Sequence, residues 1–160
     1  MAKIFYRQQR LDLAVEYCRK TLKLKPDYLK ARNSLAGTLL ELNQLQPALE
    51  QYYILLQVDP NSERILNSIA WILATTQDPK ISNPKEAVKF ALRACELTQY
   101  KVPDTINTLA AAYAATGKFD EAIKTAEKAI ELARSANRKD LAEEISERLK
   151  LYRQNKAYYK

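Results

Sequence analysis

Asn107-Thr108-Leu109-Ala110-Ala111-Ala112-Tyr113-Ala114-Ala115-Thr116-Gly117-Lys118-Phe119-Asp120-Glu121-Ala122 holds two helical stretches and the turn between them. Leu109 and Tyr113 lie one helical turn apart before Gly117. Ala122, Ile123, Ala126 and Ile130 carry an apolar stripe at the same period after it. Asp120 and Glu121 open the second stretch, where acids favour the helix dipole. Outward from here the pattern repeats. Asn33-Ser34-Leu35-Ala36, Asn67-Ser68-Ile69-Ala70 and Asn107-Thr108-Leu109-Ala110 are three copies of one tetrapeptide. The alanine of the second half recurs as Ala14, Ala48, Ala87 and Ala122, at separations of 34, 39 and 35 residues. Pro26 and Pro60 are also 34 apart, in Leu24-Lys25-Pro26 and Val58-Asp59-Pro60. A period of this size means stacked supersecondary units.

These residues resemble the tetratricopeptide repeat, a helix–turn–helix unit of 34 residues. The match runs through Leu35, Ala36, Ala48, Tyr52 and Pro60 in one unit. In another it runs through Leu109, Ala110, Tyr113, Gly117, Phe119 and Ala122. Two departures stand out: Arg32, Leu66 and Ile106 replace the usual aromatic near the start of a unit, and the third and fourth units lack the terminal Pro. The run from Asp104 to the tail is similar to the C-terminal end of many bacterial members. The resemblance implies an all-α fold, a right-handed superhelical solenoid of antiparallel helix pairs. It has about 3.5 repeats plus a C-terminal capping helix. The expected organisation is one domain over residues 1–160, with units at about 1–28, 29–62, 63–102 and 103–136, then a capping helix and basic tail at 137–160.

Helices are expected at about 2–8, 10–24, 28–42, 45–58, 62–75, 84–98, 104–116, 119–135 and 139–154. Small residues should sit where helices cross closely: Ala36, Ala48, Ala70, Ala87, Ala94, Ala110, Ala122 and Ala129. The insertion between Thr75 and Pro84 reads either as a surface loop or as a recognition loop. Asn83, Pro84 and Glu86 form a helix-start signature after it. Residues 139–152 place Leu141, Ile145, Leu149 and Tyr152 on one face, against Lys139, Glu143, Glu144, Glu147 and Lys150. The tail from Tyr152 to Lys160 is expected to leave the array. The first unit is incomplete, which reads as a fragment of a longer chain or an unfinished array. Ile4, Phe5, Leu11 and Val15 should then be uncovered and promote a homodimer.

Composition narrows the chemistry. The chain has 160 residues and no His, which removes His acid–base catalysis and most transition-metal sites. Cys18 and Cys95 are 77 residues apart and form no disulfide framework. Only 2 Gly are present, so a Gly-rich phosphate loop is excluded. No apolar run reaches membrane-span length, no signal-peptide pattern opens the chain, and a cytoplasmic location is expected, alone or as the soluble C-terminal part of a membrane-associated protein. The net charge is +7, of which Arg148, Lys150, Arg153, Lys156 and Lys160 supply five within residues 148–160. The groove positions lack a basic stripe, so nucleic acid is the less favoured partner. No catalytic, cofactor or metal residues are assigned; Asp120-Glu121 and Glu143-Glu144 read as a helix start and a solvent face.

What remains is a binding surface. By resemblance, the first helices of successive units line a groove, which implies a non-enzymatic protein–protein interaction scaffold for an extended peptide or a partner helix. The alternative is a helical-repeat nucleic-acid-binding module. No small-molecule substrate is expected. The groove positions are Lys30, Asn33, Gly37 and Leu40, then Arg64, Asn67 and Trp71, then Asn107 and Ala111. The asparagines fall in register, and an Asn amide can pair with a peptide unit or make a local bond within the array. The carboxylate clamp of the family's chaperone-adaptor branch is incomplete here. Trp71 is the only Trp, and it reads either as a ligand anchor or as inter-repeat packing.

Overall fold

The computed structural model describes residues 2–160, with side chains from Arg10 onward. The described residues form eight helices and no strand: α1 (Ala2–Leu24), α2 (Leu29–Glu41), α3 (Leu45–Val58), α4 (Glu63–Thr75), α5 (Pro84–Leu97), α6 (Pro103–Ala115), α7 (Phe119–Ser135) and α8 (Lys139–Tyr152). This is an all-α helical-repeat fold. The two expected helices at 2–8 and 10–24 are one. Gln8-Gln9-Arg10 contains no Gly or Pro, and all three residues favour helix. Elsewhere proline marks the starts: Pro84 and Pro103 are first residues of α5 and α6, and Pro47 lies in the first turn of α3. There the missing N–H would lack an intrahelical partner anyway. No helix among the described residues is long and apolar enough to cross a membrane.

The chain divides into two compact units, Met1–Pro60 and Asn61–Lys160. In the first, α2 packs against both α1 and α3. Its core includes Val15, Leu35, Ala36, Leu39, Ala48, Leu49, Tyr52 and Leu55. Ile4 and Phe5 lie outside the described side chains. Leu11 and Val15 are not uncovered as expected: Leu11 is half-buried and Val15 buried. The continuous helix α1 presents the Leu11–Val15–Cys18 stripe to α2, and Leu13 and Tyr17 face solvent instead. Arg32, in the place of the usual aromatic, donates to the Gln51 side-chain carbonyl and to the Pro26 carbonyl, each at 2.8 Å. One guanidinium thus joins α2 to α3 and to the turn before α2. Leu66 and Ile106, at the same repeat position, are buried apolar side chains.

In the second unit, α4 packs on α5 and α6, α6 on α5 and α7, and α7 on α8. All eight alanines assigned to close crossings, counted over both units, are fully buried. The insertion after α4 is tied down. Asn83 N–H donates to the Leu73 carbonyl, and the Asn83 side chain accepts from Glu86 N–H at 3.3 Å. Glu86 therefore meets the Asn83 side-chain amide, at 2.9 Å, rather than its backbone N–H, which is already in use.

Five helix ends share one turn. At Asn43, Gln99, Gly117, Asn137 and Asn155 the backbone enters the left-handed region. In each case the next residue's N–H reaches back five residues, as from Gln44 to Leu39 and from Arg138 to Ala133. This is a Schellman motif, which satisfies the orphan carbonyls of a helix end. The fifth copy corrects the expectation that the tail leaves the array. After α8, Lys156 N–H donates to Leu151 and the chain reverses at Asn155, so that Lys160 N–H donates to the Thr75 carbonyl of α4 at 2.9 Å. The α8 apolar face is otherwise as expected: Ile145, Leu149 and Tyr152 are buried and Leu141 half-buried, while Lys139, Glu143, Glu144, Glu147 and Lys150 are exposed.

Backbone conformation and burial each have a measurable consequence. A Cβ added at Gly37 would meet nothing within 4 Å, and Gly37 lies inside α2. Gly37→Ala should raise stability by ~0.5–1 kcal/mol in urea unfolding, because only the helix-interior cost of glycine is removed. Burial raises the Cys95 thiol pKa from 9.0 to about 11. An unfolded chain releases that proton near 9, so the stabilisation is full below pH 9 and is lost as pH rises through 11. The contribution is ~2–3 kcal/mol. Denaturation of Cys95→Ala across pH 8–11 should give a shallower loss than the parent chain, with Tyr100, Tyr113 and Tyr152, all raised by burial, supplying the remaining slope.

Candidate binding groove

In the first unit, α2 carries the assigned positions. Lys30 and Asn33 are exposed, and Gly37 and Leu40 half-buried. In the second unit the positions fall on α4 and α6. Arg64 is exposed, Asn67 and Trp71 are half-buried, and Asn107 and Ala111 are buried. The asparagines are therefore not equivalent. Asn107 Oδ1 accepts from Arg148 Nη1 of α8 at 3.4 Å. Asn67 Oδ1 is buried with no hydrogen-bond partner.

Trp71, Asn107 and Arg148 bring α4, α6 and α8 to one site. The Arg148 guanidinium carbon lies 5.0 Å from the Trp71 ring centre and 4.9 Å from that of Tyr158. The two rings are 5.9 Å apart and inclined by 36°. The three groups form a triangle in which a cation meets two aromatic faces, an attraction of ~0.5–2 kcal/mol per ring that strengthens with desolvation. The Arg148 side chain is only 12% exposed. Its second nitrogen donates to Glu144 at 3.1 Å on the same helix. That pair keeps the buried cation balanced and fixes its plane. Tyr158 belongs to the irregular segment 156–160, which the turn at Asn155 sends back across α8. The segment's last contact satisfies the Thr75 carbonyl, one of the unpaired groups at the end of α4.

Of this cluster, the groove positions expected from the sequence include Trp71 and Asn107 but not Arg148 or Tyr158. One signal was legible. Asn155 follows α8 as Asn137 follows α7 and Asn43 follows α2, and Asn is the second choice after Gly for a left-handed helix end. The partner of Trp71 carried no local signal, since Arg148 is 77 residues away.

Elsewhere the second unit has an open groove of about 920 Å³ between α7 and α8. Lys124, Lys128, Arg134, Lys150 and Arg153 border it, together with Glu127 and Glu131. Arg153 is paired with Glu127 at 2.9 Å. Among the described residues no three His, Cys, Asp or Glu side chains are grouped so as to hold a metal. Cys95 is buried with its proton held tightly, and burial also raises the Cys18 pKa. Neither thiol has the depressed pKa of a nucleophile.

Known proteins place this architecture. A tetratricopeptide-repeat family model matches residues 103–136, and a second model of the same description matches residues 1–28. No curated protein sequence matches. Among solved structures, a crystal structure of MamA is 18% identical with a TM-score of 0.66, over 93% of this chain and 92% of that one. A second, of MamA protein, is 19% identical with a TM-score of 0.66, over 94% and 82%. TTC0263, a thermophilic TPR protein of Thermus thermophilus, is 23% identical with a TM-score of 0.59, over 86% and 80%. At these identities the structures speak for the fold alone. The two family matches place tetratricopeptide repeats at residues 1–28 and 103–136, and the solved structures share the helical-repeat fold in which they are set.

Proposed function

We propose that this chain is a non-enzymatic protein-interaction scaffold, and that the face shared by α4, α6 and α8 holds an extended segment of a partner protein. The observation that carries this reading is the seat of residues 156–160. A non-helical stretch of polypeptide already lies against Trp71 and Arg148 and gives a backbone N–H to the end of α4. Asn67, one turn before Trp71 on α4, has a buried Oδ1 without a donor. An arriving peptide N–H would satisfy it. The preference over a partner helix comes from the same contact, since the seated segment is irregular. A planar guanidinium beside an aromatic ring is also a frequent centre of binding energy in protein interfaces.

Within residues 148–160, charge disfavours the nucleic-acid alternative. Of the five cations in residues 148–160, Arg148, Lys150 and Arg153 face Glu144, Glu147 and Glu127. Neutralising phosphates would require breaking those pairs, and the counterion release that drives such binding would be small.

The test is an array of short peptides of varied sequence, probed with the parent chain and with Trp71→Ala. Bound peptides should lose at least tenfold in affinity on Trp71→Ala, while circular dichroism stays helical, because Trp71 is only half-buried. Peptides that bind both chains equally would place the interaction elsewhere. Submicromolar oligonucleotide binding that falls steeply with salt would favour the rival reading.

A further inference from the structure

We propose that the segment Lys156–Lys160 is a resident occupant of the α4–α6–α8 site, and that the outside partner is a protein segment presenting a tyrosine to the Trp71–Arg148 pair, which must displace Tyr158 to bind. This rests on the peptide-groove reading above and names both the ligand chemistry and its competitor.

The host and the guest are built differently. Trp71, Asn107 and Arg148 stand on helices whose backbones are set by α4–α6 and α7–α8 packing. Besides the rings, Arg148 is bonded to Glu144 and Asn107, both of which stand on helices. The guest has no secondary structure beyond the turn at Asn155. It is held by the Tyr158 ring and by the Lys160 N–H, while Tyr159 beside it is exposed. A pocket wall made of a cation and an indole attracts the face of any aromatic ring. Tyr158 identifies the ring that fits. Lysines two residues to either side of it are tolerated, since Lys156 and Lys160 are both exposed.

The resident segment also leaves something unsatisfied. Asn67 lies one helical turn before Trp71, and its Oδ1 remains buried with no donor while Tyr158 is seated. A segment that passes Trp71 and supplies an N–H there would make a bond that the chain's own tail does not. An outside ligand therefore has a route to outcompete an intramolecular one, whose effective concentration otherwise favours it. The apparent affinity of the partner is reduced by the fraction of chains in which the tail is seated.

The experiment uses the full chain and an acetylated, amidated peptide with the sequence of residues 154–160, read by the fluorescence of the sole Trp. Tyr158→Ala should bind the peptide at least tenfold more tightly than the parent chain does, and Tyr159→Ala should bind it as the parent does. A peptide with Ala at its first tyrosine should not bind. Adding Arg148→Lys to Tyr158→Ala should weaken binding, because the charge is kept but the planar stack is lost. A second measurement on the unaltered chain removes dependence on variant folding: excess peptide should shift the amide resonance of Lys160, whose N–H leaves Thr75 when the tail is displaced. Equal affinity of the parent and Tyr158→Ala chains, or a Lys160 resonance that stays fixed while Trp71 fluorescence saturates, would overturn the resident-tail proposal. If array peptides still bind and need Trp71 in that event, the groove reading survives alone. If neither chain binds any peptide, both readings fall.

Discussion

The close crossing of helices through alanine is the constraint on which the rest of the fold depends. Ala36, Ala48, Ala70, Ala87, Ala94, Ala110, Ala122 and Ala129 have no exposed surface. Each is small enough to bring two helix backbones together without a gap. Side chains a turn away, such as Leu39, Leu66, Ile69 and Ile106, then fill the space on either side. The absence of a bulky aromatic at the start of each unit is absorbed in two ways. Leu66 and Ile106 replace it with apolar volume, and Arg32 replaces it with two directed hydrogen bonds.

The second constraint is the turn. A helix pair must reverse within a few residues and leave no buried carbonyl unpaired. Five helix ends do this with the same left-handed residue and the same backward N–H. Glycine supplies it once, at Gly117, where φ is 78°. Asparagine supplies it at Asn43, Asn137 and Asn155, and Gln99 at the fifth with a second left-handed residue, Tyr100, behind it. The tail turns back because the chain after α8 uses this device once more.

The fold was therefore legible in residue spacing, down to most helix limits and the burial of the eight assigned alanines; Ala91, Ala112, Ala126 and Ala133, equally buried, were not among them. That legibility has a physical basis: helical period, proline positions and small-residue recurrence are all local or evenly spaced along the chain. Where the sequence reading failed, the missing information was of another kind. The single helix α1 was read as two because an incomplete repeat gave no period to count from. The bare face expected at Leu11 and Val15 rested on the lack of a preceding unit, whereas α2 packs against α1 and the two residues are half-buried and buried. The cluster of Trp71, Asn107, Arg148 and Tyr158 was legible in part. Trp71 and Asn107 could be placed by register. The group that fills the space over Trp71 could not, because Arg148 and Tyr158 reach it through tertiary geometry.

The pairing of Arg148 with two rings also shows how differently the cations of one basic run are placed. Counted along the sequence, residues 148–160 are a block of positive charge with no acid among them. In the structure, helical and inter-helical neighbours supply what the sequence window omits. Glu144 and Glu147 lie one turn back on α8, and Glu127 stands on α7. Arg148 is moreover drawn inward, where a weakly hydrated, planar cation can be desolvated against aromatic faces at less cost than an ammonium. Lys156 and Lys160 remain in solvent on the segment that carries Tyr158. The charge thus divides by depth: one cation builds the floor of the site, two are balanced on the helix surface, and two ride on the stretch of chain that covers it. A sequence window sums these placements, which only their separation in space tells apart.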